Sequence, residues 1–497
     1  MTSVTITDAP LSIEDVLGVV NGAQVDLAPA ARARIAASRA VVDRALASGE
    51  AIYGLTTAVG HERNVRLTDD ELRRQQQMLV MTHSGGLGAA LPTQLVRAAL
   101  IVRLNGIARG GSGASEAAAD VLAAMLNAGV HPVVAETASV GAGDLGQMAG
   151  MAQVAIGMGL AEYGGETLPG GEALRRAGIA PLVLEPKDGL ALISANGVSI
   201  GHAALVIDRA ARIAEAADVS AGLSLEATSG NASICVPAVG RAKPFPGQIA
   251  AAEQLRTTLA GSHLLEQGAA RSVQDPLSFR VVPQVHGALR EYITFARRSI
   301  EIELNSASDN PLVSVQEQTL ISNGNFHPIV LAIAFDALRV AIAHVGQLSE
   351  RRMSHLWDAF FELLASAGPP SADGAPPALF GLQLRYPAAA LFPELKQLAT
   401  PATLDTPPLD MSVEDHGTSA PLSVRKTDDA LGLLEDLLAI ELLLARDVLA
   451  TMPTRSVLGT GTSEALQMVE AAMAAAVEQT PAGVHHTLRD RFFSPHA

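Results

Sequence analysis

Apolar residues recur every three or four positions through most of the chain, and alternating strand-like runs are scarce. The spacing predicts helices over 32–47, 91–108, 115–127, 198–225, 285–302, 328–364, 428–450 and 464–477. Several of these exceed the usual three or four turns, which points to an all-α fold of long helices packed as a bundle. The stretch 326–348 is apolar nearly all round, yet it carries Asp336, Arg339 and His344. A helix of that pattern needs several neighbours and suggests burial between subunits. Breakers gather at 110–113, 164–171, 367–381 (AGPPSADGAPPALFG) and 401–410 (PATLDTPPLD), which read as turns or loops. The expected organisation is an N-terminal helical domain over 1–200, a central long-helix bundle over 201–365 and a C-terminal helical region over 366–497.

Composition narrows the class. At 497 residues, 48% apolar and 17% charged, the chain can bury a large core and is not disordered. Aromatics are only 3%, so packing relies on Leu, Val, Ile, Ala and Met. The single Cys235 excludes a disulfide scaffold. Net charge is 35 minus 51, or -16, which disfavours nucleic acid or an anionic membrane as partner. The first residues carry acids where a signal peptide needs a basic start. The uncharged run 145–161 contains Gln147 and Gln153 and reads as a buried helix, not a membrane span. The expectation is a cytoplasmic protein without a membrane partner.

Polar residues set among glycines or apolar neighbours carry the candidate chemistry, because burying them demands partners. AIYGLTTAVGH at 51–61 places Tyr53 beside a turn; it is either a buried structural tyrosine or a proton-transfer group. His83 in MTHSGGLG precedes glycines that permit close approach to a ligand. In ETASVGAGDLGQMA, 136–149, Asp144 stands where it can cap a helix start. Arg280, between apolar residues, offers a planar fork suited to a carboxylate, or else a structural ion pair. ELNSASDNPL and SNGNFHP read as polar turns, and MSVEDHGTS presents Glu414, Asp415 and His416 in succession. No HExxH, CxxC or phosphate-binding loop is present, so no metal is expected. GVSIG at 197–201 lacks a strand-turn-helix context, and Ser199 reads as structural.

Taken in order, YGLTTAVG, THSGGLG, VRLNGIARGGSG, VQDPLSFRVVPQVHG, SASDNPLV, GNFHP and SERR resemble the motifs of the histidine and phenylalanine ammonia-lyase family over nearly the whole chain. The resemblance implies the all-α, long-helix fold of that family and a homotetramer whose sites draw on more than one subunit. It implies elimination of an α-amine and a β-proton from a small-molecule amino acid. On the matching positions it makes Tyr53 the β-proton base and His83 its support. Arg280 becomes the carboxylate clamp, Asn310 and Phe326 site residues, and Glu414 the partner of a substrate imidazole. Asn196 stands for the family's prosthetic-group asparagine if the loop absorbs extra residues.

The usual reaction depends on a methylidene-imidazolone made from an internal Ala-Ser-Gly. Here Ala142, Gly143 and Asp144 follow one another, and the serine whose dehydration yields the methylene is missing. Leu277 replaces a tyrosine and Pro328 a glycine of the family pattern. These departures lead to the expectation of no methylidene-imidazolone and no other cofactor. The favoured substrate is then a trimethylammonium betaine such as ergothioneine or hercynine, giving trimethylamine and a (thio)urocanate. The alternatives are a histidine ammonia-lyase, releasing urocanate and ammonia, or a non-catalytic scaffold.

Overall fold

The computed structural model describes residues 2–49, 51–52, 54–57, 60, 65–366, 378–453 and 456–493, without the side chains of 69 and 70. Four helices dominate: Gly197–Thr228, Val282–Leu304, Ile329–Ser366 and Ala420–Thr451, of 32, 23, 38 and 32 residues. Every helix expected from periodicity is present. The Ala420 start precedes the expected residue 428 because the break lies at Ser419, whose φ is 52°. Thr418 Oγ1 there accepts from the Ala420 N–H at 3.2 Å, and Pro421 is tolerated in a first turn. The breaker-rich stretch 367–377 lies outside the described residues.

Two elements differ from the periodic reading. Helix Asp69–His83 has few apolar positions, and its signal is the capping box of Thr68 and Glu71. The run expected as one buried helix over 145–161 ends at Ala155. Gly157 and Gly159, with φ of 84° and 65°, then turn the chain into strand Leu160–Tyr163.

The chain divides into two units. The first comprises Met1–Val206, Ala296–Phe335 and Pro401–Arg425. Its centre is helix Thr93–Ala108, buried continuously from Leu95. Its two arginines are held by neighbouring elements. Arg97 donates to the carbonyls of Val19 and Leu126, in the last turns of helices Ile13–Val20 and Glu116–Ala128. Arg103 grips the buried Asp309 with two bonds of 2.9 and 3.2 Å. Short sheets trim this unit. Ser3–Ile6 pairs in parallel with Gln24–Leu27, and Leu87–Ala90 pairs antiparallel with Ala135–Thr137. Hairpins form at Leu160–Tyr163/Glu166–Pro169 and at Leu312–Ser314/Thr319–Ile321.

The second unit comprises Ile207–Phe295, Asp336–Thr400 and Lys426–Ala497. Leu225, Leu255, Leu259, Phe279, Val282 and Leu348 form part of its core. Two buried ionic groups lie in it, Arg352 with Glu441 and His286 with Asp218 and Arg290. Arg339, one of the charges in the apolar 326–348 stretch, pairs with Asp336 and donates to Leu398 O at 2.9 Å. Two stretches, 188–228 and 329–366, are long and apolar enough to cross a membrane. Their most apolar windows are 89% and 61% buried within the protein, as in core helices.

Candidate active site

A cavity of about 530 Å³ opens in the first unit. Helix Asp69–His83 supplies Gln75, Met78, Leu79, Thr82 and His83 to its wall, and helix Asp188–Ile193 supplies Leu190 and Ile193. Those two walls touch through backbone. A Cβ on Gly189 would lie 2.4 Å from the Gln76 carbonyl oxygen, and Gln76 Oε1 accepts from Leu190 N–H at 3.2 Å. Only glycine allows that approach. Ser194, Asn310, Phe326, Ala142, Asp410 and Glu414 complete much of the lining.

Three loops are stitched together around Ala142. The Phe326 carbonyl accepts from Gly143 N–H at 3.1 Å and from Asn196 Nδ2 at 3.0 Å. Thr418 Oγ1 donates to Gly141 O at 2.7 Å, and Ser419 N–H donates to Val140 O at 2.8 Å. The loop before Phe326 is held to Asn310, whose Oδ1 accepts from Asn323 N–H at 3.1 Å. His327 Nε2 and His416 Nδ1 stand 2.8 Å apart, joining the Phe326 loop to the Glu414 loop. Glu414 sits at the end of a tight turn closed by paired Leu409–Glu414 backbone bonds. Within it Asp410, Met411 and Ser412 all take φ between 48° and 64°. Three consecutive non-glycine residues in the left-handed region store strain where the cavity is lined.

Protonation states follow from the contacts. His83 Nδ1 faces the Leu79 carbonyl at 2.9 Å. A carbonyl only accepts, so Nδ1 carries a proton. Burial, assisted by Asp410, raises the Glu414 carboxyl above its ordinary value, and His83 opposes the rise. No group of three or more His, Cys, Asp or Glu among the described residues is placed to hold a metal ion.

Asp144 differs from its expected role. It makes no side-chain bond at its own helix start. Its carboxylate instead receives Ser199 N–H at 2.7 Å and Ser199 Oγ at 3.0 Å, capping helix Gly197–Thr228. Ser199 is thereby structural. Burial pushes Asp144 up to about 6 from 3.8, against the bonds from Ser199 and Ser139. A raised carboxyl pKa contributes stability below the unfolded value and loses it as pH rises through the folded one. Through this group stability should fall by about 2 kcal/mol from pH 4 to pH 6, and Asp144→Asn should flatten that stretch. Urea midpoints between pH 4 and 7 test it; parallel profiles for the two proteins would contradict it.

Of the candidate residues, His83, Asn310, Phe326, Glu414 and Ala142 share the cavity. Asn196 lies behind it, fully buried, with its Oδ1 lacking a hydrogen-bond partner. Arg280 belongs to the second unit, on the short helix Leu277–Arg280, and is not among the lining residues. Tyr53 lies outside the described residues; Gly60, from the same segment, lines the cavity. Gln75, Ser194 and Asp410 were not singled out in the sequence, since no motif distinguishes them.

The helical architecture is that of the aromatic amino acid lyases. The profile of that family, aromatic amino acid lyase, matches residues 11–471, and the chain belongs to it. A histidine ammonia-lyase of Anaeromyxobacter sp. (strain K) is 42% identical over 469 residues, covering 90% of each chain. Among solved structures, ergothionase from Treponema denticola superposes with a TM-score of 0.91 at 26% identity, covering 99% of this chain and 100% of that one. Histidine ammonia-lyase from Trypanosoma cruzi gives 0.83 at 28%, covering 99% and 95%. The chain is a carbon–nitrogen lyase of the helical histidine ammonia-lyase fold.

These relatives correct the expectation of a site without the methylidene-imidazolone. The missing serine is one position against 469 matched residues of a histidine ammonia-lyase. Expulsion of ammonia, a poor leaving group, is the chemistry for which the resemblance implies that electrophile. The residues present do not fit its usual precursor. Ala142 joins Gly143 directly, and the nearby Ser139 hydroxyl lies 3.0 Å from Gly143 O and 3.2 Å from Asp144 Oδ1.

Proposed function

We propose that the protein removes the α-nitrogen and a β-proton from an imidazole-bearing amino acid, with L-histidine as substrate and urocanate and ammonia as products. The observation that carries this reading is the placement of Glu414 beside His83 in one cavity. A carboxylate there accepts an imidazole N–H, and His83, its Nδ1 held by the Leu79 carbonyl, leaves Nε2 to the ligand. Tyr53 removes the β-proton and Arg280 holds the substrate carboxylate. In a cytoplasmic homotetramer of the kind the resemblance implies, residues of more than one subunit build each site. The similarity to histidine ammonia-lyases supports the choice of substrate.

A second reading is favoured by the likeness to ergothionase. A trimethylammonium group is cationic at every pH and departs as a neutral amine, so hercynine or ergothioneine is a competent substrate on chemical grounds. Incubation with L-histidine, hercynine and ergothioneine separately, followed by ultraviolet detection of the conjugated acid, decides between them. Urocanate from L-histidine supports the first reading. Product from a betaine alone replaces it with the second, and no product from any of the three overturns both.

Glu414→Gln keeps the size and removes the anion. KM for the imidazole substrate should rise about tenfold with a smaller change in kcat, as expected for lost ground-state binding. Equal KM values for the two proteins would contradict imidazole recognition by Glu414. Because the Glu414 carboxyl is raised, activity should decline on acidification from above the ordinary carboxylate range, and Glu414→Gln should remove that limb.

A further inference from the structure

The short helix Leu277–Arg280 is fixed at two successive residues immediately before Arg280. The Ser278 carbonyl accepts from Arg352 Nη1 at 3.2 Å. The Phe279 side chain is buried in the core of the second unit, its ring 5.9 Å from that of His355. Arg280 follows, half-buried, with its Nε buried and lacking a hydrogen-bond partner. A buried donor without a partner carries a desolvation cost that a bound acceptor would relieve.

Arg352 is itself fully buried and tightly held. Its Nε and Nη2 meet the Glu441 carboxylate at 2.6 and 2.9 Å, and Ser224 Oγ donates to Glu441 Oε1 at 2.6 Å. Neither partner of the pair has exposed side-chain surface. Such a pair is a poor way to gain stability, because desolvating two charges consumes most of their attraction. Apolar residues of similar volume would fill the space as well. They would not reproduce the N–H that reaches the Ser278 carbonyl. That bond is the structural consequence peculiar to the charged pair.

We propose that Arg352 and Glu441 are positioning residues for Arg280: the buried pair fixes the turn that aims the Arg280 guanidinium at a ligand carboxylate. The proposal rests on the carboxylate-binding role of Arg280 given above. The Glu441 carboxylate orients Arg352, Arg352 fixes Ser278, and Ser278 sets the direction in which the chain leaves for Arg280. No other route is needed, since all four residues belong to one unit.

The test uses the full-length protein and two competitive ligands, imidazole-4-propionate, which bears a carboxylate, and 4-ethylimidazole, which does not. The variant is the double replacement Arg352→Met with Glu441→Leu, which leaves no lone buried charge. Inhibition constants are compared in the parent and in an Arg280→Ala background. The expected result is about a tenfold weaker imidazole-4-propionate in the double variant, unchanged 4-ethylimidazole, and less than about twofold further loss once Arg280 is gone. A merely structural pair would weaken both ligands alike, or act equally in both backgrounds, and either result overturns the proposal. Arg280→Ala with unchanged imidazole-4-propionate binding overturns the carboxylate-clamp reading beneath it. If the double variant does not fold, Arg352→Lys keeps the charge against Glu441 but loses the fork that also spans to Ser278. It should show the same selective loss, and its absence there likewise counts against the proposal.

Discussion

Asp309→Ala should lower the stability of the protein by about 3–5 kcal/mol, the loss typical of breaking a buried ion pair from one side. Arg103 and Asp309 have 1% and 0% side-chain exposure, and two hydrogen bonds join them. Removing the carboxylate strands the Arg103 guanidinium in a region that already holds Lys187. The Lys187 ammonium is buried without a hydrogen-bond partner, and burial pushes it down to about 8. Asp309 is the carboxylate that most favours the charged form of that lysine, so its loss removes support from two cations together. The damage should reach the cavity, because Asn310 follows Asp309 and Asn323 bridges the Asp309 carbonyl and the Asn310 side chain. Replacing Arg103 and Asp309 together by Met and Leu should restore most of the stability. Chemical denaturation of the three proteins measures this; a loss below about 1 kcal/mol for Asp309→Ala would show that the pair is not the strut described here.

Tyr53→Phe should lower kcat about 10²- to 10⁴-fold, the range for loss of a positioned general base, with an unchanged thermal midpoint. The residues flanking Tyr53 account for the second half of that expectation. Thr56 Oγ1 accepts from Ile52 N–H at 2.7 Å, and Leu55 is buried with Val41, Val42 and Val313. Turnover within threefold of the parent would remove Tyr53 from the reaction; a lowered midpoint would instead assign its hydroxyl a structural task.

The long helices are legible in the sequence because each buries an apolar stripe repeated over many turns. Helix Asp69–His83 is not, since its buried residues, among them Leu72, Gln76, Leu79 and Val80, are too few to mark a face. Yet it contributes five of the residues lining the cavity. The strands are two to four residues long, shorter than any alternation that periodicity can register. Family motifs identify His83, Asn310, Phe326 and Glu414, but their spacing says nothing about distance; the cavity that they share is a property of the folded first unit. Asp144 shows the complementary limit. A helix-capping residue is recognisable locally, whereas its real client, Ser199, lies 55 residues away. The loop around Ala142 shows a third. One absent serine is conspicuous in a motif, but it weighs less than likeness spread over the whole chain.

Gly189 gives the cavity its gauge. The wall bearing His83 and the wall bearing Leu190 and Ile193 are spaced by bare backbone at Gln76, so no side chain can be trimmed there to bring them closer. Variation at this position runs in one direction only. Any larger residue acts as a wedge, opening the slot between the two walls. A wider slot is therefore attainable by a single replacement in that helix, whereas a tighter one requires redesign of residues lining the cavity itself.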